Sequence, residues 1–325
     1  MIVTELYNGQ GLGNQLWSYV VTRVLAMDMG VGFGILGAER FKGKDFLSLD
    51  FGTPPSGGEG PEGGPPRRLP DGIHNYLVEK EQWYEPFNCD VRDYDCTLLH
   101  IADNTKIEGY FQSERYIEHR REAIRDWLAI NPAYNCTNYA SDNVCVLNIR
   151  GGEYRAHREL LLPKTYWENA IGHMQAINPS MKFVIVTDDI KYTSRLFPQY
   201  ESLHVNIGTD YSRVHNARYL ILANSSFSFF PTWTSRSVKR IIAPKYWARH
   251  NVSDGFWACG FNLYRDWEWL DRNGHLYSYD ECAAEYSAYK ESHLLDQLSP
   301  RPSKKVPLLV LRRAVAGLRK SLRGY

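Results

Sequence analysis

The alternation of short apolar segments with helical segments between residues 144 and 243 constrains the fold more than any other feature of this sequence. Strands are predicted at 144–149, 183–186, 203–207, 220–223 and 240–243. Helices are predicted between them, at 165–177, 192–197 and 211–219. Strands that alternate with helices form a parallel sheet, and such sheets bind ligands at the carboxyl ends of their strands. The pattern therefore predicts an α/β protein with a ligand site at one sheet edge.

Polar side chains stand directly after two of these strands. Arg150 follows the first, and Gly151 and Gly152 leave room for its guanidinium to bind a phosphate through two hydrogen bonds. An ion pair between Arg150 and a nearby carboxylate is the alternative. Asp188 and Asp189 follow the second strand and can accept hydrogen bonds from ribose hydroxyls or base N–H groups. Alternatively, one of the two caps the next helix.

A serine pair, Ser225 and Ser226, follows the strand at 220–223 and offers hydroxyl and N–H groups to a phosphate. Serine pairs are also common in turns that bind nothing. The coincidence of Arg150, Asp188 and Ser225 at strand ends is the strongest physical indication of a site. Together with a glycine turn nearer the N-terminus, these groups would hold a pyrophosphate without a metal ion.

That glycine turn, residues 9–13, separates a predicted strand at 2–7 from a helix with apolar residues at helical spacing. Glycines let the backbone approach a ligand, and the unpaired N–H groups of a first helical turn attract anions. The spacing matches neither a dinucleotide fingerprint, because Asn14 or Leu16 occupies the final glycine place, nor a Walker phosphate loop. Asn14 could alternatively cap the helix.

Charge and cysteine usage narrow the classes of function. The formal net charge of +1 argues against general nucleic-acid binding. The six cysteines form no CxxC pair and no metal-ligand spacing, and residues 2–7 are too short for a signal-peptide core. We therefore expect a reduced, cytoplasmic chain without disulfides and without a metal.

The end of the chain has a charge pattern of its own. From Ser299 onward there are eight basic and no acidic residues, so the remainder carries 30 basic against 37 acidic side chains. Apolar residues between 308 and 322 fall on one helical stripe that basic residues flank. Residues 303–325 are thus predicted to form a basic amphipathic helix, which binds either an anionic membrane surface or an acidic protein surface.

Seven motifs in order give the sequence a specific resemblance. They are GLGNQL from residue 11, EGYFQSERY from 108, NIRGGEY from 148, LPKTYW from 162, FVIVTDDI from 183, NSSFSF from 224 and IAPKYW from 242. This set resembles the family 11 α-1,2-fucosyltransferases, within the wider group of GDP-fucose-dependent transferases of GT-B fold. The similarity runs from about residue 2 to about residue 250.

The resemblance implies a GT-B-like fold with two Rossmann-like halves, a cleft between them, and the basic amphipathic helix appended. An acceptor-side domain would span 1–140, with a Gly/Pro-rich loop at 52–72, a donor domain 141–298, and the tail 299–325. It implies an inverting, metal-independent transfer of L-fucose from GDP-β-L-fucose to a glycan hydroxyl. The product would be α-1,2-linked, and the glycan a cell-surface polysaccharide or oligosaccharide. The basic tail, if it binds a membrane, would suit a lipid-linked acceptor and a cytoplasmic enzyme at the inner face of the membrane.

The donor site implied by the resemblance combines the glycine turn with the strand ends. Its residues would be Gly11, Gly13, Asn14, Gln15, Arg150, Asp188, Asp189, Asp210, Asn224, Ser225, Ser226 and Phe227. The family motif His-x-Arg-Arg-x-Asp reads Asn148-x-Arg150-Gly151-x-Glu153 here, so the diphosphate-binding arginine is kept while the histidine and the second arginine are absent.

Inverting transfer requires a general base for the acceptor hydroxyl. Glu153 is the first candidate, and Glu159 and His157 on the following loop are the next. Glu153 could instead hold an arginine in place. Two other functions stay open: a GT-B transferase that uses a different GDP-sugar, which the changed motif favours, and a catalytically inactive nucleotide- or sugar-binding homologue.

Overall fold

The structure is a computed structural model that describes residues 1–57, 69–84, 89–157, 159–253, 255–294 and 298–300. The first half of the chain forms a four-stranded parallel sheet in the order β2-β1-β6-β3, with a long helix leading from the first strand to the second. Its elements are β1 Ile2–Glu5, α1 Leu12–Met29, β2 Phe33–Leu36, β3 Asn75–Val78, β4 Gln82–Tyr84, β5 Cys89–Val91, β6 Thr105–Glu108 and α2 Arg121–Trp127.

The second half forms a seven-stranded sheet in the order β13-β12-β11-β10-β7-β8-β9, in which only β13 runs antiparallel. Its elements are β7 Val144–Ile149, α3 Lys164–Ile177, β8 Lys182–Thr187, α4 Ile190–Leu196, β9 Glu201–Leu203, α5 Ile207–Asn216, β10 Tyr219–Leu222, α6 Phe229–Thr234, β11 Arg240–Pro244, β12 Glu268–Leu270, β13 Leu276–Tyr277 and α7 Tyr279–Tyr289. The predicted α/β class, with two halves that are each built on a mainly parallel sheet, is confirmed.

The apolar runs of the second half form the strands of its sheet. Both faces of this parallel sheet are covered, so successive side chains on either face are buried and the strands are continuous apolar runs in the sequence. The strand predicted at 203–207 was wrong in position: β9 ends at Leu203, and Asn206 caps α5, which begins at Ile207. In the first half, two 3-10 turns precede the short α2.

The end of the described chain returns to the first half. The strand β14 Leu298–Pro300 pairs antiparallel with β4, which in turn pairs with β5. Lys290, in a π-helical turn after α7, forms an ion pair with Asp93. The predicted amphipathic helix at 303–325 lies outside the described residues, as does 58–68 of the Gly/Pro-rich loop. Among the described residues, no helix is both long and apolar enough to cross a bilayer.

One apolar core joins the two halves. Trp17 of α1 stacks on Phe229 of α6 with ring centroids 4.3 Å apart, and Phe229 packs in turn on Tyr264 at 4.4 Å. Gly13 makes the closest approach, since a Cβ there would lie 2.3 Å from the carbonyl carbon of Ser226. The amino end of α1 is therefore fixed against the strand-end loop of the second half, which places the two predicted site segments side by side.

Glu114 also links the halves, and its burial predicts a pH-dependent stability. Its carboxylate accepts a hydrogen bond from the N–H of Arg265 at 2.7 Å, and burial raises its pKa from 4.5 to about 7. Because the folded state binds this proton more tightly than the unfolded state, stability is lost as pH rises from about 4.5 to about 7. We expect Glu114→Gln to relieve up to about 3 kcal/mol of this loss.

Urea denaturation at pH 5 and pH 8 tests this expectation. The free energy of unfolding of Glu114→Gln, relative to the unsubstituted protein, should be higher at pH 8 than at pH 5. Glu118→Gln changes a carboxylate that is 44% exposed on the neighbouring turn, and its effect should vary much less between the two pH values. A Glu114→Gln difference that is the same at both pH values would contradict the assignment.

Candidate functional site

The carboxyl ends of β7, β8 and β10 lie side by side, because these three strands are neighbours in the second sheet. Arg150, directly after β7, donates from Nη1 to Oδ2 of Asp188 at 2.9 Å. The N–H of Gly151 donates to Oδ1 of the same carboxylate at 2.8 Å. A Cβ on Gly152 would lie 2.5 Å from Asp188, so this glycine lets the loop turn tightly around the carboxylate. The expected clustering of Arg150 and Asp188 is confirmed.

The guanidinium of Arg150 is not saturated by these contacts. Its Nε is buried and has no hydrogen-bond partner among the described residues, while the side chain keeps 25% of its surface exposed. Its Cζ lies 5.7 Å from the ring centre of Tyr154. The ion pair that the sequence offered as the alternative for Arg150 is therefore present, and it leaves part of the guanidinium exposed; the binding of a phosphate stays a prediction.

Asp189 serves the local fold. It accepts a hydrogen bond from the N–H of Tyr192 at 2.9 Å and so caps α4, and its other oxygen pairs with Arg155 at 3.0 Å. This is the capping role that the sequence left open for one member of the Asp188–Asp189 pair. Asp188 is thus the carboxylate that stays beside Arg150.

Asn14 joins the two halves at the glycine turn. Its Oδ1 accepts hydrogen bonds from Gln112 at 2.8 Å and from the hydroxyl of Ser226 at 2.7 Å. Asn14 does not cap α1, because the helix begins at Leu12 and its N-cap is Gly11. The amide of Asn14 instead crosses the boundary between the halves, as no interpretation of the sequence alone had foreseen.

The other turn residues divide between the surface and the core. Gly11 is exposed, and a Cβ there would meet no atom within 4 Å. Gln15 is fully buried, and its amide bonds to the carbonyl of Arg40 and the N–H of Lys42 at 2.9 Å each. The side chain of Gln15 therefore holds the loop after β2 and is not available to a ligand.

A cleft of about 420 Å³ opens beside Asn14 between the two halves. We call it the interdomain cleft. Its walls come from the first half through Asn14, Arg92, Tyr110 and Gln112, and from the second through Tyr154, Leu160, Asn224, Ser226, Trp247, Ala248, Cys259, Phe261 and Asn262. Oδ1 of Asn224 is buried and has no hydrogen-bond partner among the described residues. The cleft therefore presents polar groups from both halves to one space.

A smaller cavity of about 160 Å³, the strand-end pocket, is lined in part by Arg150 and Asp188. Phe227 and Asp210 line it, together with His204, which was not identified from the sequence. Asp210 is buried. Its Oδ2 lies at hydrogen-bond distance, 2.6 Å, from Nδ1 of His204, and its Oδ1 accepts a hydrogen bond from Nη1 of Arg213 at 3.2 Å. Burial raises the pKa of Asp210, and these hydrogen bonds oppose that rise. Asp210 therefore orients His204, which is 45% exposed toward the pocket.

Ser225 and Ser226 have different surroundings. Ser225 is buried and its hydroxyl caps the short turn before α6, although the hydrogen bond from the N–H of Phe227 is long at 3.4 Å. The hydroxyl of Ser226 is the one that reaches across to Asn14. Ser226 therefore lines the interdomain cleft beside Asn14, while Ser225 stabilises the turn before α6.

The three base candidates from the sequence are all exposed to solvent. Glu153 keeps 75% of its side chain exposed and lies 3.6 Å from Nη2 of Arg150. His157 and Glu159 pair with each other at 3.6 Å and are each more than half exposed. No group of three or more His, Cys, Asp or Glu side chains suited to a metal ion occurs in the part of the chain that the structure describes.

Comparisons with known proteins extend this picture. No family model matches the chain. Over 175 residues it is 27% identical to an α-1,2-colitosyltransferase of Escherichia coli, covering 46% of this chain and 59% of that protein. Over 202 residues it is 24% identical to the O-antigen biosynthesis glycosyltransferase WbnK of Escherichia coli, and this alignment covers 54% of this chain and 64% of that protein. The chain is similar in sequence to glycosyltransferases. Each alignment spans less than two thirds of the relative's length.

Solved structures with a related arrangement include the fucosyltransferase NodZ from Bradyrhizobium, with a TM-score of 0.41, 13% identity, and coverage of 74% of this chain and 94% of that one. A family 9 glycosyltransferase from Veillonella parvula has a TM-score of 0.40 and 12% identity, with coverage of 80% of this chain and 83% of that one. Similarities at this level carry no argument about activity. The architecture rests on the strand order of this chain itself.

Proposed function

We propose that this protein is an inverting glycosyltransferase that moves L-fucose from GDP-β-L-fucose to a hydroxyl group of a glycan, forming an α-1,2 linkage. One observation carries the proposal: Asn14, in the first turn of α1, is hydrogen-bonded to Ser226, and both residues line a cleft between the two halves. The sequence similarity to glycosyltransferases supports it. The whole activity, its substrates and its partners are part of this proposal.

The diphosphate of the donor would lie between Arg150 and the amino end of α1. The free face of the guanidinium offers charged donors, and the first N–H groups of an 18-residue helix offer a positive dipole end. Both stabilise the charge that gathers on the diphosphate as its bond to the sugar breaks. No metal ion enters this proposal.

The guanosine would extend from Arg150 into the strand-end pocket. The ring of Phe227 offers an apolar face there, and His204, held by Asp210, offers a polar edge for the nucleobase or ribose. Asp188 lies at the mouth of this pocket, beside Arg150. These groups would give the site its preference for one nucleoside.

A transferase that uses another GDP-sugar is the second candidate, and two observations favour it. One relative is a colitosyltransferase, so a colitosyl donor is a specific alternative. In addition, Asn148 stands where the family motif has histidine. Its amide bonds to the carbonyl of Val186 at 3.2 Å and to the hydroxyl of Ser228 at 2.8 Å, so it serves the core. The donor-sugar side of the motif therefore differs from the family pattern.

The acceptor and the location of the enzyme are proposals of the same kind. A lipid-linked glycan at the inner face of the membrane would suit a cytoplasmic transferase whose basic residues 303–325 bind anionic lipid. Those residues lie outside the described part of the chain, so this association stays a prediction.

A nucleotide panel tests the proposed function directly. We expect GDP and GDP-fucose to raise the Tm of the protein, with ADP and UDP giving a much smaller rise at equal concentration. Slow release of GDP from GDP-fucose would distinguish an enzyme from an inactive binding protein, and GDP-colitose in the same assay would distinguish the two donor candidates. Equal responses to all three nucleoside diphosphates, or none to GDP, would contradict the proposal.

A further inference from the structure

A second large cavity opens at the carboxyl end of the first sheet. It has a volume of about 550 Å³, within the range of about 300–1,000 Å³ that is typical of small-molecule sites. We call it the first-sheet cavity. It is lined by Tyr7, Asn8, Gly9, Gln10, Asn14, Val78, Glu79, Glu81, Glu108, Gly109 and Tyr110. Of these residues, Gly9 and Gln10 belong to the glycine turn, and Asn14 and Tyr110 also line the interdomain cleft; the others belong to neither.

The first-sheet cavity adjoins the interdomain cleft. Asn14 and Tyr110 line both spaces. Asn14 is held between Gln112 of the first half and Ser226 of the second, so its position relative to the strand-end loop is fixed. A molecule in the first-sheet cavity therefore faces the place proposed for the donor's diphosphate and sugar, across the two shared residues Asn14 and Tyr110.

The segment between the two spaces is held rigidly. The carboxylate of Glu79 accepts hydrogen bonds from the N–H groups of Tyr110 and Phe111 at 2.9 and 2.8 Å. Phe111 has a φ of +46°, which is unusual for a residue with a side chain. A Cβ on Gly109 would lie 2.4 Å from Cβ of Glu79, so only glycine fits there. Backbone strain of this kind persists where surrounding contacts impose it, often beside a functional site.

Glu108, the last residue of β6, has one carboxylate oxygen engaged and one free. Oε2 accepts hydrogen bonds from the hydroxyl of Tyr7 at 3.0 Å and from the hydroxyl of Tyr76. Burial and the neighbouring carboxylates raise the pKa of both phenols, so they keep their protons and donate them. Oε1 has no hydrogen-bond partner among the described residues. The carboxylate is thereby oriented and still has a lone pair available to a ligand.

Exposed apolar side chains gather around the same cavity. Only eight large apolar side chains are exposed in the described part of the chain, and Tyr76, Val78 and Tyr110 are three of them. Exposed apolar groups that cluster beside a polar cavity mark ligand sites more often than isolated ones do. A pyranose ring suits this mixture, since it presents C–H faces to aromatic rings and hydroxyl groups to carboxylates.

We propose that the first-sheet cavity binds the acceptor sugar and that Oε1 of Glu108 is the general base of the transfer. This inference rests on the proposed function. Glu108 takes the proton of the acceptor hydroxyl, the hydroxyl oxygen forms a bond to C1 of the donor sugar, and the bond from C1 to the diphosphate oxygen breaks. The electron pair of that bond leaves with GDP, beside Arg150. Glu153, Glu159 and His157 are then not required as the base.

The test separates donor binding from transfer. GDP-fucose binding is measured by calorimetry, and GDP release from GDP-fucose is measured in water and with methyl hexopyranosides as acceptor probes. We expect Glu108→Gln to lower GDP release about 100-fold or more while the Kd for GDP-fucose changes less than threefold. Glu108→Asp should retain more activity than Glu108→Gln. Glu168→Gln, a half-exposed carboxylate on α3 that pairs with Lys164, should match the unsubstituted protein in both measurements.

Each outcome bears on one proposal. If Glu108→Gln keeps GDP release within tenfold, or if it loses GDP-fucose binding while its Tm is unchanged, the role of Glu108 is wrong. If Glu153→Gln instead causes the large loss of release, the base lies on the other side of the cleft. A protein that does not bind GDP-fucose at all contradicts the proposed function rather than this inference.

Discussion

Arg150→Ala is expected to weaken the binding of GDP and GDP-sugars by roughly 30- to 700-fold, which corresponds to about 2–4 kcal/mol. The substitution removes the charged donors of the proposed diphosphate site, including the buried Nε that has no partner among the described residues. It also leaves the carboxylate of Asp188, which now pairs with Arg150 at 2.9 Å, to repel the incoming phosphates. Both effects act in the same direction.

Arg155 supplies a matched control for this experiment. It carries the same charge five residues further along the same loop, is 52% exposed, and pairs with Asp189 rather than Asp188. Isothermal titration with GDP should show a change of less than about threefold for Arg155→Ala, because an exposed ion pair contributes less than about 1 kcal/mol. If both arginine variants weaken GDP equally, the loss reflects general charge, and Arg150 does not bind the diphosphate directly.

Gly13→Ala is expected to destabilise the protein by at least about 2–3 kcal/mol. Its added Cβ would lie 2.3 Å from the carbonyl carbon of Ser226 and 2.5 Å from the nitrogen of Phe227. These are backbone atoms, so no side-chain rotation can relieve the overlap. Either α1 or the loop after β10 must move, and the core between the halves must open. Thermal denaturation should show a fall in Tm of roughly 5 °C or more.

Gly11→Ala separates this effect from a general intolerance of the glycine turn. A Cβ on Gly11 would meet no atom within 4 Å, and its φ of −69° suits any residue. We expect the free energy of unfolding to change by less than about 1 kcal/mol, the part that an N-cap residue contributes. If Gly13→Ala melts at the same temperature as Gly11→Ala, the close contact between α1 and Ser226 is wrong.

Strand positions in the second half were predictable because each strand is an apolar run covered on both faces of a parallel sheet. The run at 144–149 matches β7 residue for residue, and β8, β10 and β11 lie within one residue of their predicted bounds. The prediction failed at 203–207, where Asn206 ends the extended segment by capping α5. An N-cap inside an apolar stretch competes with strand periodicity, and the pattern alone does not show which prevails.

The roles of individual polar side chains were much less predictable. Asp188 and Asp189 are adjacent and chemically identical, yet one pairs with Arg150 and the other caps α4. Gln15 and Asn14 are adjacent in the first turn of α1, yet one is buried against the loop after β2 and the other bridges the two halves. Which partner each side chain meets depends on residues distant in the chain, so local sequence does not determine it.

Glu108 illustrates a signal that was present in the sequence and not used. It ends β6, and the rule that polar residues at strand ends form sites, applied to the second sheet, holds equally for the first. The β6 strand is only four residues long and contains Lys106, which is buried in an ion pair with Glu5 at 2.6 Å. The lysine makes this buried strand look polar in the sequence. A strand that buries a lysine does not appear as an apolar run.

The α/β class, the alternation of strands with helices, and the position of Arg150, Asp188 and Ser225 at strand ends were all predictable without a structure, because they follow from periodicity and local chain geometry. Three features became visible in the folded chain alone: the amino end of α1 contacts Ser226, Asn14 links the halves, and a cavity at Glu108 adjoins the cleft. Those features depend on contacts between residues about 100 to 200 positions apart, for which a single sequence carries no local signal.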